Sequence, residues 1–175
     1  MEKKTINKLN PSFMQSINIA EKFCKEWEDE LVSDEVLADR IAELVDTRNG
    51  IRGFFAYALS DVNCTLLDKL PSALLFKLRE KGEPIVCLVV KNFIMSSAQV
   101  INHRRDKNAI YENISKNISE RCLDLLRKLD TKLVTKEINE VIYNLNKMGN
   151  GFNSSIRYDD EQKKFIKERI KKLSN

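Results

Sequence analysis

The first sustained pattern in the chain is a row of apolar residues, Phe13, Ile17, Ala20, Cys24, Trp27 and Leu31, at alternating steps of four and three. At about 100° per residue these positions share one stripe of an α-helix. Asn10 and Pro11 precede the row and predict the helix start, a capping side chain followed by a ring already held at helical φ. Ser33 predicts the next N-cap, with Asp34 and Glu35 in the first turn, where the helix dipole favours carboxylates. Leu37, Ile41 and Leu44 form that helix's inner face, and Asn49-Gly50 is its expected stop. From Ile51 to Ser60 a short segment carries Phe54, Phe55, Tyr57 and Leu59 and reads as a helix weakened by Gly53. Pro71 opens a further short helix through Leu74, Leu75 and Leu78, which Gly82 ends.

The most apolar stretch runs from Ile85 to Ile101. Its β-branched opening, Ile85 to Val90, has the composition of a buried strand, but nothing interrupts the run through Met95, Ala98 and Ile101, and the reading is one helix over about 84–105. Its apolar residues go nearly all the way round, leaving the polar strip Asn92, Ser96, Gln99 and His103. A helix apolar on most sides is buried on most sides, so this is the predicted hub. Lys91, Asn92, the serines, Gln99 and Asn102 are too costly for a membrane span, and none is expected.

Asp106-Lys107 predicts the next start, with Ile110, Ile114, Ile118, Cys122, Leu125 and Leu129 facing in and Glu112, Lys116, Glu120, Asp124 and Lys128 facing water. Thr135 is the expected cap of a helix burying Ile138, Val141, Ile142, Leu145 and Met148 and ending at Gly149-Asn-Gly151. Asp159-Asp160 starts a last helix with Phe165, Ile166, Ile170 and Leu173 inside and Lys163, Lys164, Lys167, Arg169, Lys171 and Lys172 outside. The expectation is an all-α, single-domain bundle of about seven helices packed around the central apolar one. Residues 1–9 read as a flexible tail, 10–148 as the bundle, and 149–175 as a loop plus a basic amphipathic helix that docks on it.

Charge adds an asymmetry to this picture. The net charge of +4 combines a strongly acidic region with a basic remainder. Over residues 26–46 nine acids (Glu26, Glu28, Asp29, Glu30, Asp34, Glu35, Asp39, Glu43 and Asp46) stand against Arg40, whereas residues 71–175 hold 21 bases and 13 acids. That is not the composition of a uniformly basic nucleic-acid protein. The four cysteines, Cys24, Cys64, Cys87 and Cys122, have no metal or redox spacing and read as small core residues. The N-terminus has no secretory pattern, so a cytoplasmic location with free thiols is expected.

Candidate chemistry is sparse. His103 is the one histidine and stands beside two arginines, so no metal site is expected. Neither GxxxxGK nor GxGxxG occurs, no nucleophile–base pair is evident, and no cofactor or catalytic group is expected. Two runs could hold an anion. Arg48-Asn-Gly50-Ile-Arg52-Gly53 places backbone N–H groups and two arginines at a helix start. Its Gly-x-x-Gly form resembles the loop by which KH domains hold a nucleic-acid backbone, over four residues and without the strands that fold requires. His103-Arg104-Arg105 lies at the end of the central helix, where the dipole also favours cations.

The leading expectation is therefore a non-enzymatic helical interaction protein, an adaptor, assembly factor or regulator, meeting a protein partner or a second copy of itself through the acidic region 26–46. One alternative is RNA, DNA or phosphate binding through Arg48, Arg52 and His103 to Arg105. Another is a small-molecule pocket or enzyme site on the central helix, lined by Asn92, Ser96, Gln99 and His103. The last helix is read as packing on the bundle rather than on a membrane surface.

Overall fold

The computed structural model describes residues 10–147 and 157–173, and among them there are eight helices and no strand. They are α1 (Phe13–Glu28), α2 (Asp34–Leu44), α3 (Arg48–Ser60), α4 (Ser72–Lys81), α5 (Glu83–Arg105), α6 (Ala109–Lys128), α7 (Thr131–Asn146) and α8 (Asp160–Lys171). The expected tail over 1–9, Met148 and the break at Gly149-Asn-Gly151 lie outside the described residues.

Eight helices stand against the expected seven or so, and the Ile51 segment is a full 13-residue helix that begins at Arg48. Helix α2 stops at Leu44, so Asn49-Gly50 does not end it but sits in the first turn of α3, whose N-cap is Thr47. Three other starts shift for the same kind of reason: a nearer capping side chain wins. Ser12, not Asn10, caps α1, in a reciprocal box with Gln15. Asn108 caps α6, and Asp130 rather than Thr135 caps α7.

Helix α5 is the hub: α3, α4, α6, α7 and α8 all pack on it. It is long and apolar enough, at a mean hydropathy of 1.6, to cross a membrane by length and composition, yet most of it is enclosed by the other helices. Phe93 and Ile94 are almost fully buried, as are Val89 and Val90. Helix α6 returns antiparallel along it, from Arg104 opposite Glu112 to Ser97 opposite Ser119. The inner face of α6 is rotated from expectation. Ile110 is 73% exposed, whereas Ser115 and Ser119 are buried. Small side chains let the two backbones approach, and Ser97 on α5 meets Ser119 on that face with little bulk.

The second close contact is between α1 and α3, which run side by side in the same direction, with Asn49 bonded to the carbonyl of Pro11. A Cβ on Gly53 would stand 2.3 Å from the Ser16 Cβ and 2.8 Å from the Ile17 nitrogen. Gly53 thus fits here because it lacks a side chain, and close approach to α1 compensates for its poor helix propensity. Arg121 joins these two halves. From α6 it donates to the carbonyls of Asp61 and Cys64, both at 2.8 Å, and to the Asp68 carboxylate, gathering the connection that follows α3.

Helix α8 lies across α5 and α6. Ile166 and Ile170 join the common core, Asp159 and Gln162 form its N-terminal capping box, and Arg105 clasps Asp159 and Glu161.

Gly53→Ala is expected to lower stability by roughly 1–3 kcal/mol through overpacking of α1 on α3, read as a fall in thermal midpoint. An unchanged midpoint would show that the two helices are not in such close contact. The Arg105 hydrogen bond holds the Asp159 carboxyl at about 2, below its ordinary 3.8. A depressed carboxylate stabilises the fold above its unfolded value, and that contribution is lost as pH falls through the folded one. The protection of the α8 amides, taken relative to the intrinsic exchange rate at each pH, should therefore fall as pH drops from about 4 to about 2, by less in Arg105→Gln than in the wild type. Equal responses in the two proteins would count against the clasp.

Candidate functional site

The Gly-x-x-Gly segment is not a loop. Gly50 and Gly53 are both buried inside α3, and the Gly50 N–H is taken by the Thr47 hydroxyl at 2.9 Å. A Cβ on Gly50 would meet the Leu44 carbonyl oxygen at 1.7 Å, so this glycine permits a tight turn from α2 into α3. The four-residue likeness to a KH loop is therefore one of spacing alone. Arg48 and Arg52 are exposed, and the Arg52 guanidinium lies 4.9 Å above the Phe13 ring on α1.

The second basic run is largely neutralised. Arg104 donates to Glu112 at 3.1 Å. Arg105 donates to Asp159 at 2.6 Å and also to Glu161, which raises its own pKa further. The His103 ring is half-buried, 5.5 Å from Tyr111. No described contact brings Arg48 or Arg52 to this run: Arg52, on α3, rests over Phe13 of α1, while Arg104 and Arg105 are held by α6 and by the start of α8.

The polar strip of α5 bonds largely within its own helix. The Asn92 amide donates to the Leu88 carbonyl at 2.9 Å, and the Ser96 hydroxyl to that of Asn92 at 2.7 Å. Such back-bonding satisfies these groups within their own helix. Gln99 is exposed.

The acidic region divides in two. Glu26 pairs with Arg40, Asp39 with Lys77 at 3.0 Å, and Asp46 with Lys81, so part of it serves to tie α2 to α1 and to α4. The remainder forms the corner between α1 and α2. A groove of about 830 Å³ there is bordered by Trp27, Leu31, Val32, Glu30, Asp34 and Lys69. The indole N–H of Trp27 donates to Asp34 at 2.7 Å, which fixes the corner, and Leu31 is 71% exposed within it. Glu28 is turned inward onto the backbone and hydroxyl of Thr65.

Two features escape a reading by apolar pattern. Cys24 and Cys64 meet in the core, and their shared hydrogen bond, together with burial, pushes the Cys24 thiol up. Both are fully buried, which fits the expected core role. The other feature is Arg169, expected on the outside of α8 but 8% exposed. It donates to Glu120 at 2.5 Å and to the Ser119 hydroxyl at 3.1 Å. Ser119 in turn lies 2.9 Å from the Ser97 hydroxyl, which donates to the Phe93 carbonyl at 2.7 Å. The result is a polar thread from the surface into α5, and the guanidinium holds the Glu120 carboxyl below its usual range. The helical step carries the missed signal: position 169 is four beyond Phe165 and three beyond Ile166, so it falls on the inner stripe. Among the described residues no cluster of three or more histidine, cysteine or carboxylate side chains is arranged to hold a metal ion.

Neither a curated protein nor a solved structure matches this chain. Residues 12–173 match the family described as uncharacterised conserved protein UCP020893, nearly the whole chain, and the protein belongs to that family.

Proposed function

We propose that this is a non-enzymatic interaction protein, and that the corner between α1 and α2 receives a basic, apolar-bearing polypeptide segment of a protein partner. The observation that carries the reading is Leu31, 71% exposed in a groove with Glu30 and Asp34 on its border. A large aliphatic side chain kept at the surface beside a half-buried tryptophan offers apolar contact area, and tryptophan is among the residues that dominate binding energy at interfaces. The charged border has three carboxylates, Glu28, Glu30 and Asp34, against Lys69. The C-terminal end of α1 adds the negative end of its dipole, and Asp29 caps it. Fields of this sign steer a basic segment and reject an acidic one.

The corner is favoured over the rest of 26–46 because Glu26, Asp39 and Asp46 already have intramolecular partners. The anion reading of Arg104 and Arg105 draws no comparable support, since both guanidinium groups are occupied by carboxylates.

The test is affinity capture with wild-type protein and with a Glu30→Lys, Leu31→Lys variant in parallel. Both positions are exposed, so the variant should fold normally. A partner held by the wild type, released by salt, and bound roughly tenfold or more weakly by the variant is the expected result. Identical capture by both proteins would refute the corner as the docking surface.

A further inference from the structure

A cavity of about 310 Å³ lies where α5, α6 and α8 meet. That is the small end of the roughly 300–1,000 Å³ range of ligand pockets. Its walls divide by chemistry. Val100 and Phe165 supply an apolar side. Arg104, Lys116, Arg169 and Lys172 bring four positive charges against the carboxylates of Glu120 and Glu168, a net of +2. Glu112, just outside the lining, pairs with both Arg104 and Lys116 and reduces this to about +1.

Arg169 is the decisive group. Its Nε is the buried side-chain nitrogen that has no hydrogen-bond acceptor among the described residues. A buried donor left unmet costs roughly 1–3 kcal/mol, and Arg169 lines the cavity. The carboxylate that pairs with it, Glu120, is 53% exposed, so that ion pair is open to water on the carboxylate side. The Arg104 guanidinium lies 5.9 Å from the Phe165 centroid, which closes the cavity with a cation over an aromatic face.

We propose that this cavity is a binding site for a small organic carboxylate, with the anionic head on Arg169 between Lys116 and Lys172 and a compact apolar body against Val100 and Phe165. The residual charge of about +1 suits a monoanion better than a phosphate monoester, which carries about −1.5 to −2 at neutral pH. The cavity shares no lining residue with the α1–α2 corner, so the two sites are tested separately.

Benzoate is the probe, titrated into the full chain and followed by amide chemical shifts, with benzyl alcohol and inorganic phosphate in parallel. Benzoate should bind at about 1 mM or tighter, with shifts confined to the C-terminal half of α5 and the facing turns of α6 and α8. Benzyl alcohol and phosphate should each bind roughly tenfold more weakly, because each lacks one half of the recognition. Arg169→Gln should abolish binding. Lys172→Gln, at an exposed position, should weaken it about fivefold and keeps the test valid if the arginine variant does not fold. Benzyl alcohol binding as well as benzoate would reduce the cavity to an apolar hole and overturn the proposal. Phosphate binding as well as benzoate, shifts scattered over the surface lysines, or no shift at 20-fold above the expected ~1 mM would overturn it as well.

Discussion

The contact on which the rest of this structure depends is the close antiparallel pairing of α5 with α6. Five helices pack on α5, and α6 covers more of it than any other. Small side chains let long helices approach closely, and Ser97 on one side meets Ser119 on the other, with Ser115 buried one turn before it. Hydroxyl groups in such a seam are tolerated only when bonded. Ser97 and Ser96 return their protons to α5 carbonyls, and Ser119 links Ser97 to Arg169. The seam therefore sets both the distance between the two helices and the position of α8, whose buried arginine completes the thread.

From that seam the molecule separates into two regions of different chemistry. On the α8 side, cations converge on a small cavity with an apolar wall. On the α1–α2 side, carboxylates border an exposed leucine and a tryptophan. Between them Arg121 ties the connection after α3 to α6 through backbone carbonyls, making one body of the two halves. The lopsided charge of the chain is thereby divided. Much of it is used internally, in Asp39 with Lys77 and Arg105 with Asp159.

The helices and the hub were legible because their signal is apolar periodicity, which burial imposes directly. Boundaries were less so. Asn10, Asn49-Gly50 and Thr135 all have terminus chemistry, but Ser12, Thr47 and Asp130 stand where the geometry closes. The sites were hardest. Gly50 and Gly53 looked like a phosphate loop because sequence spacing is silent on whether a glycine lacks a side chain for conformation or for space; here space decides, against Leu44 and Ser16. Arg169, Ser115 and Ser119 were missed because polar residues on an inner stripe are discounted when only apolar ones are counted. The pairing of Cys24 with Cys64 depends on tertiary contact between α1 and the connection after α3, which no local pattern encodes.

Native-state hydrogen exchange along α5 tests the central claim most directly. If the α5–α6 seam is the core of the fold, amides from Val89 to Ile101 exchange through global unfolding and are the slowest in the chain, and Ser119→Leu accelerates them together with those of α6 and α8. Exchange in α5 as fast as in α2 or α4, or a Ser119→Leu variant that leaves α8 protected, would contradict it.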